Sequence, residues 1–501
     1  RLVAAPTLRA PLAGRRVALL AHPASVTEDL VHSLDALAGL ADVNLTAALT
    51  EALTVTGTGT LKADATDLAA LKTVKVSETA GLSLNAGVAN TVTSVDTTGT
   101  TGAVTVTIEG ARATYTGGAG VDTVTLATDT ALTKAIDLGA GDDTLSFAAL
   151  NVTGSTAALK GGDGTDTLSM AVATAAALDA APVSFYTGFE RLTLNDVGVG
   201  GETIDLANLG FTTYVTTSGS DGTLTLDKLA NNGTVVLTAA PTTGVTVKVA
   251  DAATGTADVL NVVLSSAGNL AAGVLTAAEV ETVNISTVDT QAAPQTKNVD
   301  SLTLTADKAT SVNLTGAADL TLTLTGSTKV TSIDGSAMTG NLTVTSLNTT
   351  AATTIKGGSG ADVLAAATGT TADVLSGGAG NDVLVSNAGL TTLTGGEGAD
   401  VFRIATASLN VNSYSTVTDF AAGDLLQIAG IGSFAAAKVT LGETAVFQDY
   451  ANAAINTLAA NGAGWFQFGG NTYVVADMGT NGATFTNSED FIVKLTGLVD
   501  L

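Results

Sequence analysis

The pattern that runs through most of the chain is alternation. Val or Leu exchanges with Thr at every second position over short runs, as at residues 53–56, 74–76 and Val104–Ile108. A period of two is the strand period, and the β-branched Val and Thr favour extended backbone. The prediction is an all-β protein. Between residues 185 and 350 short strands recur about every ten residues, and 320–324, 330–333 and 342–344 read as successive rungs. Two stretches there share one pattern: Phe189-Glu190-Arg191-Leu192-Thr193-Leu194 and Val280-Glu281-Thr282-Val283-Asn284-Ile285. Evenly spaced short strands with polar turns predict an elongated parallel β-solenoid, although a β-sandwich also fits this section.

The first forty residues break the pattern. They hold Arg1, Arg9, Arg15 and Arg16, Pro6, Pro11 and Pro23, and both histidines, His22 and His32. Residues 15–20 read as a strand, and 26–40 as a short amphipathic helix with Thr27 at its N-cap. After about Ala41 the composition turns to Thr, Gly, Ala, Val and Asp. The predicted division is an atypical segment at 1–43, strands at 44–114, a first glycine–aspartate segment at 115–184, solenoid rungs at 185–354, a denser glycine–aspartate segment at 355–416, and a mixed β module at 417–501.

The glycine–aspartate segments repeat Gly-Gly-x-Gly-x-Asp-x-(Leu/Val/Phe)-x. The first holds Gly117-Gly118-Ala119-Gly120-Val121-Asp122, Leu138-Gly139-Ala140-Gly141-Asp142-Asp143 and Gly161-Gly162-Asp163-Gly164-Thr165-Asp166. The second holds Gly357, Gly358 and Gly360 with Asp362, Gly377, Gly378 and Gly380 with Asp382, and Gly395, Gly396 and Gly398 with Asp400. A degenerate unit at 368–376 keeps Asp373. Glycine lets a turn take left-handed backbone angles and aim its carbonyls at one spot, where the aspartate adds a carboxylate. Calcium takes six to eight oxygens, more than one turn supplies, so two stacked turns are needed. The apolar eighth position points into the solenoid. The alternative is that Gly–Asp only makes turns.

Two nonapeptides per coil would stack aspartates eighteen residues apart. Asp382 and Asp400 meet that spacing, whereas Asp373 lies half a coil before Asp382, and a bulge separates it from Asp362. Asp122, Asp143 and Asp166 are spaced too widely for it and are not expected to form a simple stack.

Charge sharpens this picture. Lys and Arg total 20 against 46 Asp and Glu, a formal net charge of -26. Nucleic acid and anionic membranes are thereby excluded as direct partners, and cations are favoured. Disorder is excluded too, because 45% of residues are hydrophobic and mean hydropathy is +0.39. With no cysteine, disulfides do not hold the fold. No apolar run is long enough for a transmembrane helix, and residues 1–20 do not read as a cleavable signal peptide.

Enzyme chemistry finds little to use. His22 and His32 lack the His-Glu-x-x-His spacing of a zinc protease, and no Gly-x-Ser-x-Gly elbow is present. The expectation is a non-enzyme. Trp465 reads as a core or interface anchor.

At its repeats the chain resembles the RTX family of calcium-binding proteins exported by type I secretion. From about Thr114 to the end it is more similar still to Caulobacter-type calcium-dependent S-layer proteins. The residues that carry this second resemblance are the Gly117, Gly139 and Gly161 repeats, Gly188-Phe189-Glu190-Arg191-Leu192, and Val280-Glu281-Thr282-Val283-Asn284-Ile285. Further on they are the repeats from Gly357 to Asp400, Val417-Thr418-Asp419-Phe420-Ala421-Ala422-Gly423-Asp424, Trp465-Phe466-Gln467-Phe468-Gly469-Gly470-Asn471-Thr472-Tyr473-Val474-Val475, and the closing Ile492-Val493-Lys494-Leu495-Thr496-Gly497-Leu498. The resemblance implies an extracellular surface protein with several bound Ca2+ ions, assembling with itself in a hexagonal lattice, and a C-terminal signal read by the type I secretion machinery. It places Asp419 and Asp424 where the roll ends, with Phe420 over its open core, and makes Asp142 and Asp163 extra ligands. Such S-layer proteins bind lipopolysaccharide through a larger N-terminal domain, and no comparable region is present here. The alternative is a monomeric RTX adhesin or a non-catalytic carrier region of a larger secreted protein. Separately, Leu12-Ala13-Gly14-Arg15-Arg16-Val17-Ala18-Leu19-Leu20-Ala21-His22-Pro23 resembles the start of an exo-muramidase family.

Overall fold

The computed structural model describes Asn44–Leu45 and residues 51–501, apart from 65–67, 69, 86–90, 128–130, 148–154, 181–184, 197–199, 219–221, 240–242, 292–296, 406–410, 480–481 and 488. The strand and helix expected within residues 1–43, both histidines and the exo-muramidase-like stretch lie outside the described residues. The chain divides into two compact units, Arg1–Ser218 and Gly219–Leu501. Each is a parallel β-solenoid, so the chain is nearly all β, as the alternation predicts.

In the first unit, strands fall alternately on two parallel faces. One face carries Ala52–Val55, Thr73–Glu78, Ser94–Thr100, Thr114–Thr116, Ile136–Ala140, Leu159–Asp163 and Tyr186–Thr187. The strands between them, such as Val104–Ile108, Asp122–Leu126, Thr144–Phe147, Thr167–Met170 and Arg191–Leu194, build the other. Alternating side chains point inward and stack in rows along the coil axis. Val124, Leu145, Leu168, Leu192 and Val215 form one such row in exact register, all fully buried. The eighth position of each nonapeptide supplies it, so the repeat builds core as well as turn.

The second unit repeats the scheme. Asp319–Leu324, Leu342–Thr345, Val363–Ala365, Val383–Val385, Val401–Ile404 and Leu425–Ile428 pair in order on one face. Ser311–Gly316, Ser332–Met338, Thr354–Lys356, Val374–Ala379, Thr392–Glu397 and Tyr414–Val417 pair on the other. The ten-residue strand spacing is therefore half a coil. Asp319–Leu324 and Leu342–Thr345 are neighbours, while Ser332–Met338 lies on the opposite face and is not a rung between them.

Beyond the last coil, Phe491–Leu495 runs parallel to Tyr414–Val417 and antiparallel to Asn471–Ala476, which pairs with Gly462–Phe468. The helix Phe447–Asn456 packs Ala451, Ala454 and Ile455 against Phe466, Tyr473, Val475 and Ile492. Trp465 is buried here, its Nε1 donating to the Ala436 carbonyl at 3.2 Å, which makes it a core residue.

One polar row also runs along the second unit. Asn261 Nδ2 donates to the Asn232 carbonyl, Asn284 Nδ2 to Asn261 Oδ1 and Asn313 Nδ2 to Asn284 Oδ1, each at 2.8 Å. These bonds fix register between strands whose Thr-rich outer faces specify it weakly. Asn284→Ala removes the bonds to Asn261 and Asn313 at half-buried positions and is expected to cost about 1 kcal/mol, read by chemical denaturation.

Candidate metal centre

Each glycine–aspartate turn leads into a strand, and its aspartate is buried. Asp122, Asp143, Asp166, Asp362, Asp373, Asp382 and Asp400 are no more than 1% exposed. The first glycine of the repeat makes room for this. A Cβ on Gly161, Gly357, Gly377 or Gly395 would collide with Oδ2 of Asp166, Asp362, Asp382 or Asp400 respectively. The carboxylate folds back over its own turn into the space that a side chain would fill. The later glycines answer a different demand. Gly378 and Gly396 take φ of 111° and 102°, and a Cβ there would strike the carbonyl of the preceding turn.

The aspartates are linked from turn to turn through their backbones. The Asp122 N–H donates to Asp143 Oδ1 at 2.7 Å, and the Asp143 N–H to Asp166 Oδ1 at 2.9 Å. The Val104 N–H begins this column on Asp122 Oδ1, and the Asp166 N–H ends it on Glu190 Oε2 at 2.8 Å. In the second unit the N–H groups of Leu342, Asp362, Asp382 and Asp400 donate in turn to Oδ1 of Asp362, Asp382, Asp400 and Asp424, at 2.7, 2.7, 2.9 and 2.9 Å. The residue before the aspartate ties the turns in the opposite sense. Asp142 Oδ1 accepts from the Thr165 N–H and Asn381 Oδ1 from the Ala399 N–H, both at 2.9 Å.

The first cluster departs from what its residue spacing leads one to expect. Asp122, Asp143 and Asp166 do form a simple stack, with Thr123, Thr144 and Thr167 in register beside them. Coils in these two columns span 18 to 24 residues, and the surplus lies in loops and helical insertions elsewhere in the coil. Asp373 belongs to the opposite turn of the second unit, where its oxygens accept from the Thr353 N–H and the Asn387 side-chain amide. Asp419 accepts from the N–H groups of Gly395 and Gly396, and Phe420 lies 6.0 Å from the buried Phe402 ring. Asp163 sits beside Ala140 in register. Glu190, Tyr115 and Asn387 take part in these networks without any signal in the repeat pattern.

The second oxygens differ along the columns. Asp122 Oδ2 accepts from Tyr115 at 2.7 Å, Asp362 Oδ2 from the Gly358 N–H and Asp424 Oδ2 from the Ala421 N–H. Oδ2 of Asp143, Asp166 and Asp382 is buried with no hydrogen-bond partner. Neighbouring rungs lie about 4.8 Å apart, and two unit charges at that separation repel by roughly 3 kcal/mol at an effective dielectric of 20. Burial accordingly pushes the Asp122 carboxyl up to about 6 and those of Asp143 and Asp382 up to about 7, with the adjacent aspartates adding to the rise at Asp143 and Asp382. Asp166, Asp362, Asp373 and Asp400 are also raised by burial.

Orphaned, buried carboxylate oxygens beside glycine turns fit a hard cation. Among the described residues no group of three or more Asp, Glu, His or Cys side chains converges to hold a metal. Each turn gives one buried carboxylate, so an ion there would draw most of its other oxygens from the glycine-rich backbone. The profile of the RTX calcium-binding nonapeptide repeat (four copies) matches residues 357–390 and again 368–402. Residues 357–402 are thus RTX repeats, and calcium is the ion such repeats bind. The first cluster lies outside the matched residues and shows the same contacts. No curated protein matches the chain.

These raised carboxyls make the stability of the metal-free protein depend on pH. These carboxyls hold protons more tightly folded than unfolded, where aspartate titrates near about 3.9. The stability these groups contribute is therefore fully present below about pH 4 and is lost as pH rises through about 6 to 7. Metal-stripped protein should unfold at lower denaturant at pH 8 than at pH 5, and calcium should shrink that difference. Asp382→Asn keeps an acceptor for the Asp362 N–H and removes the charge. It should narrow the metal-free pH dependence and weaken calcium binding by roughly tenfold or more, measured by calorimetric titration.

Proposed function

We propose that the chain is an extracellular structural protein that folds on calcium and assembles laterally into a surface layer. The observation that carries the first part is the column of buried carboxylates in each unit, with unpartnered oxygens at Asp143, Asp166 and Asp382. RTX-repeat solenoids are typically secreted and non-catalytic. Where free calcium is scarce, ionised columns repel and the chain stays open for export by the type I machinery. Outside, calcium bridges the turns, and its binding free energy becomes folding free energy. A site at a hundredfold excess of calcium over its Kd contributes about 2.7 kcal/mol.

The lattice reading is supported by the ordered series of segments that resemble S-layer proteins. Lipopolysaccharide anchors the S-layer proteins that the chain resembles, and no region of this chain is assigned to that role. Negative-stain electron microscopy and sedimentation at millimolar calcium test assembly, with ordered sheets as the expected outcome that dissolve in chelator. Folded, strictly monomeric protein at every calcium concentration would reject the lattice in favour of an adhesin or carrier region.

A further inference from the structure

The shared pattern around Glu190 and Glu281 acquires a meaning in the structure. Glu190 closes the first aspartate column, its Oε2 accepting from the Asp166 N–H at 2.8 Å. Glu281 does the same one coil beyond Asp258, its Oε2 accepting from the Asp258 N–H at 2.9 Å. The backbone bonds match as well. The Asp166 carbonyl accepts from the N–H groups of Glu190 and Arg191, and the Asp258 carbonyl from those of Glu281 and Thr282.

Asp258 stands in a loop without the Gly-Gly-x-Gly-x-Asp sequence, yet its carboxylate is buried beside a glycine as those of the repeats are. It is 6% exposed, and its Oδ2 is buried with no hydrogen-bond partner, as are those of Asp166 and Asp382. A Cβ on Gly255 would collide with that oxygen, as one on Gly161 would with Asp166 and one on Gly377 with Asp382. Lys308 does not supply the missing partner, since its ammonium pairs with Glu279 at 3.1 Å. An unpaired buried carboxylate oxygen is unfavourable unless a proton or a cation meets it.

We propose that Asp258 and Glu281 form a further calcium site, outside the nonapeptide repeats and on a turn whose sequence hides it. The unpartnered Oδ2 of Asp258 supplies the buried ligand, and the Glu281 carboxylate one turn on supplies negative charge across the gap. Carbonyls of the 250–258 loop complete the oxygen set that calcium requires. The site shares the calcium chemistry of the proposed function, and its test separates the two.

Equilibrium dialysis of the full chain with radioactive calcium counts ions per chain. Asp258→Asn and Glu281→Gln should each bind about one ion fewer than wild type, consistent with two carboxylates serving one ion. Hydrogen exchange should show residues 250–258 protected by calcium in wild type and unprotected in both variants. If Asp258→Asn fails to fold, Glu281→Gln decides. An unchanged ion count in a folded variant, or no calcium-dependent protection of 250–258, overturns the site. If Asp382→Asn alone lowers the count, calcium binding by the repeats stands and this site falls. If wild type binds no calcium, both fall.

Discussion

A hydrogen bond from the backbone N–H of one turn to the carboxylate Oδ1 of the next organises both units. It requires each aspartate to lie beneath its own turn, which in turn requires glycine where Gly161, Gly357, Gly377 and Gly395 stand. It also fixes which residues of successive strands face each other, and so builds the buried rows of Val124, Leu145 and Leu168 and of Leu364, Leu384 and Phe402. The same bond satisfies backbone donors at a buried turn, where an orphan N–H is costly.

The arrangement has an electrostatic consequence. Carboxylates spaced by one rung and removed from water cannot all ionise without a counter-charge. With five positively charged residues for roughly every eleven acids, the chain supplies few cations of its own, and the described ion pairs are on the surface, as at Lys72–Glu51 and Lys356–Asp334. Protons can neutralise the columns in acid. At neutral pH a divalent cation can take that role, and calcium is the ion that RTX repeats bind.

Much of this was legible in the sequence. Alternation gave strands such as Val104–Ile108 at their observed bounds, and the Gly–Asp repeats located both columns. What spacing could not show is register. Asp122, Asp143 and Asp166 look irregular because residue counts include insertions elsewhere in the coil, whereas stacking depends only on the turn-to-turn bond. The ten-residue strand period likewise conceals that consecutive strands belong to opposite faces. The part Glu190 plays was hidden for a different reason, because it comes from its position one turn beyond Asp166 and not from the nonapeptide pattern.

The most direct test of the account is the far-UV circular dichroism of metal-stripped protein at pH 7.5 as calcium is raised from chelator to millimolar. The account predicts a cooperative gain of β signal, together with a higher unfolding midpoint, reversed by chelation. A spectrum and midpoint indifferent to calcium would contradict it, and the glycine–aspartate repeats would then be turns alone.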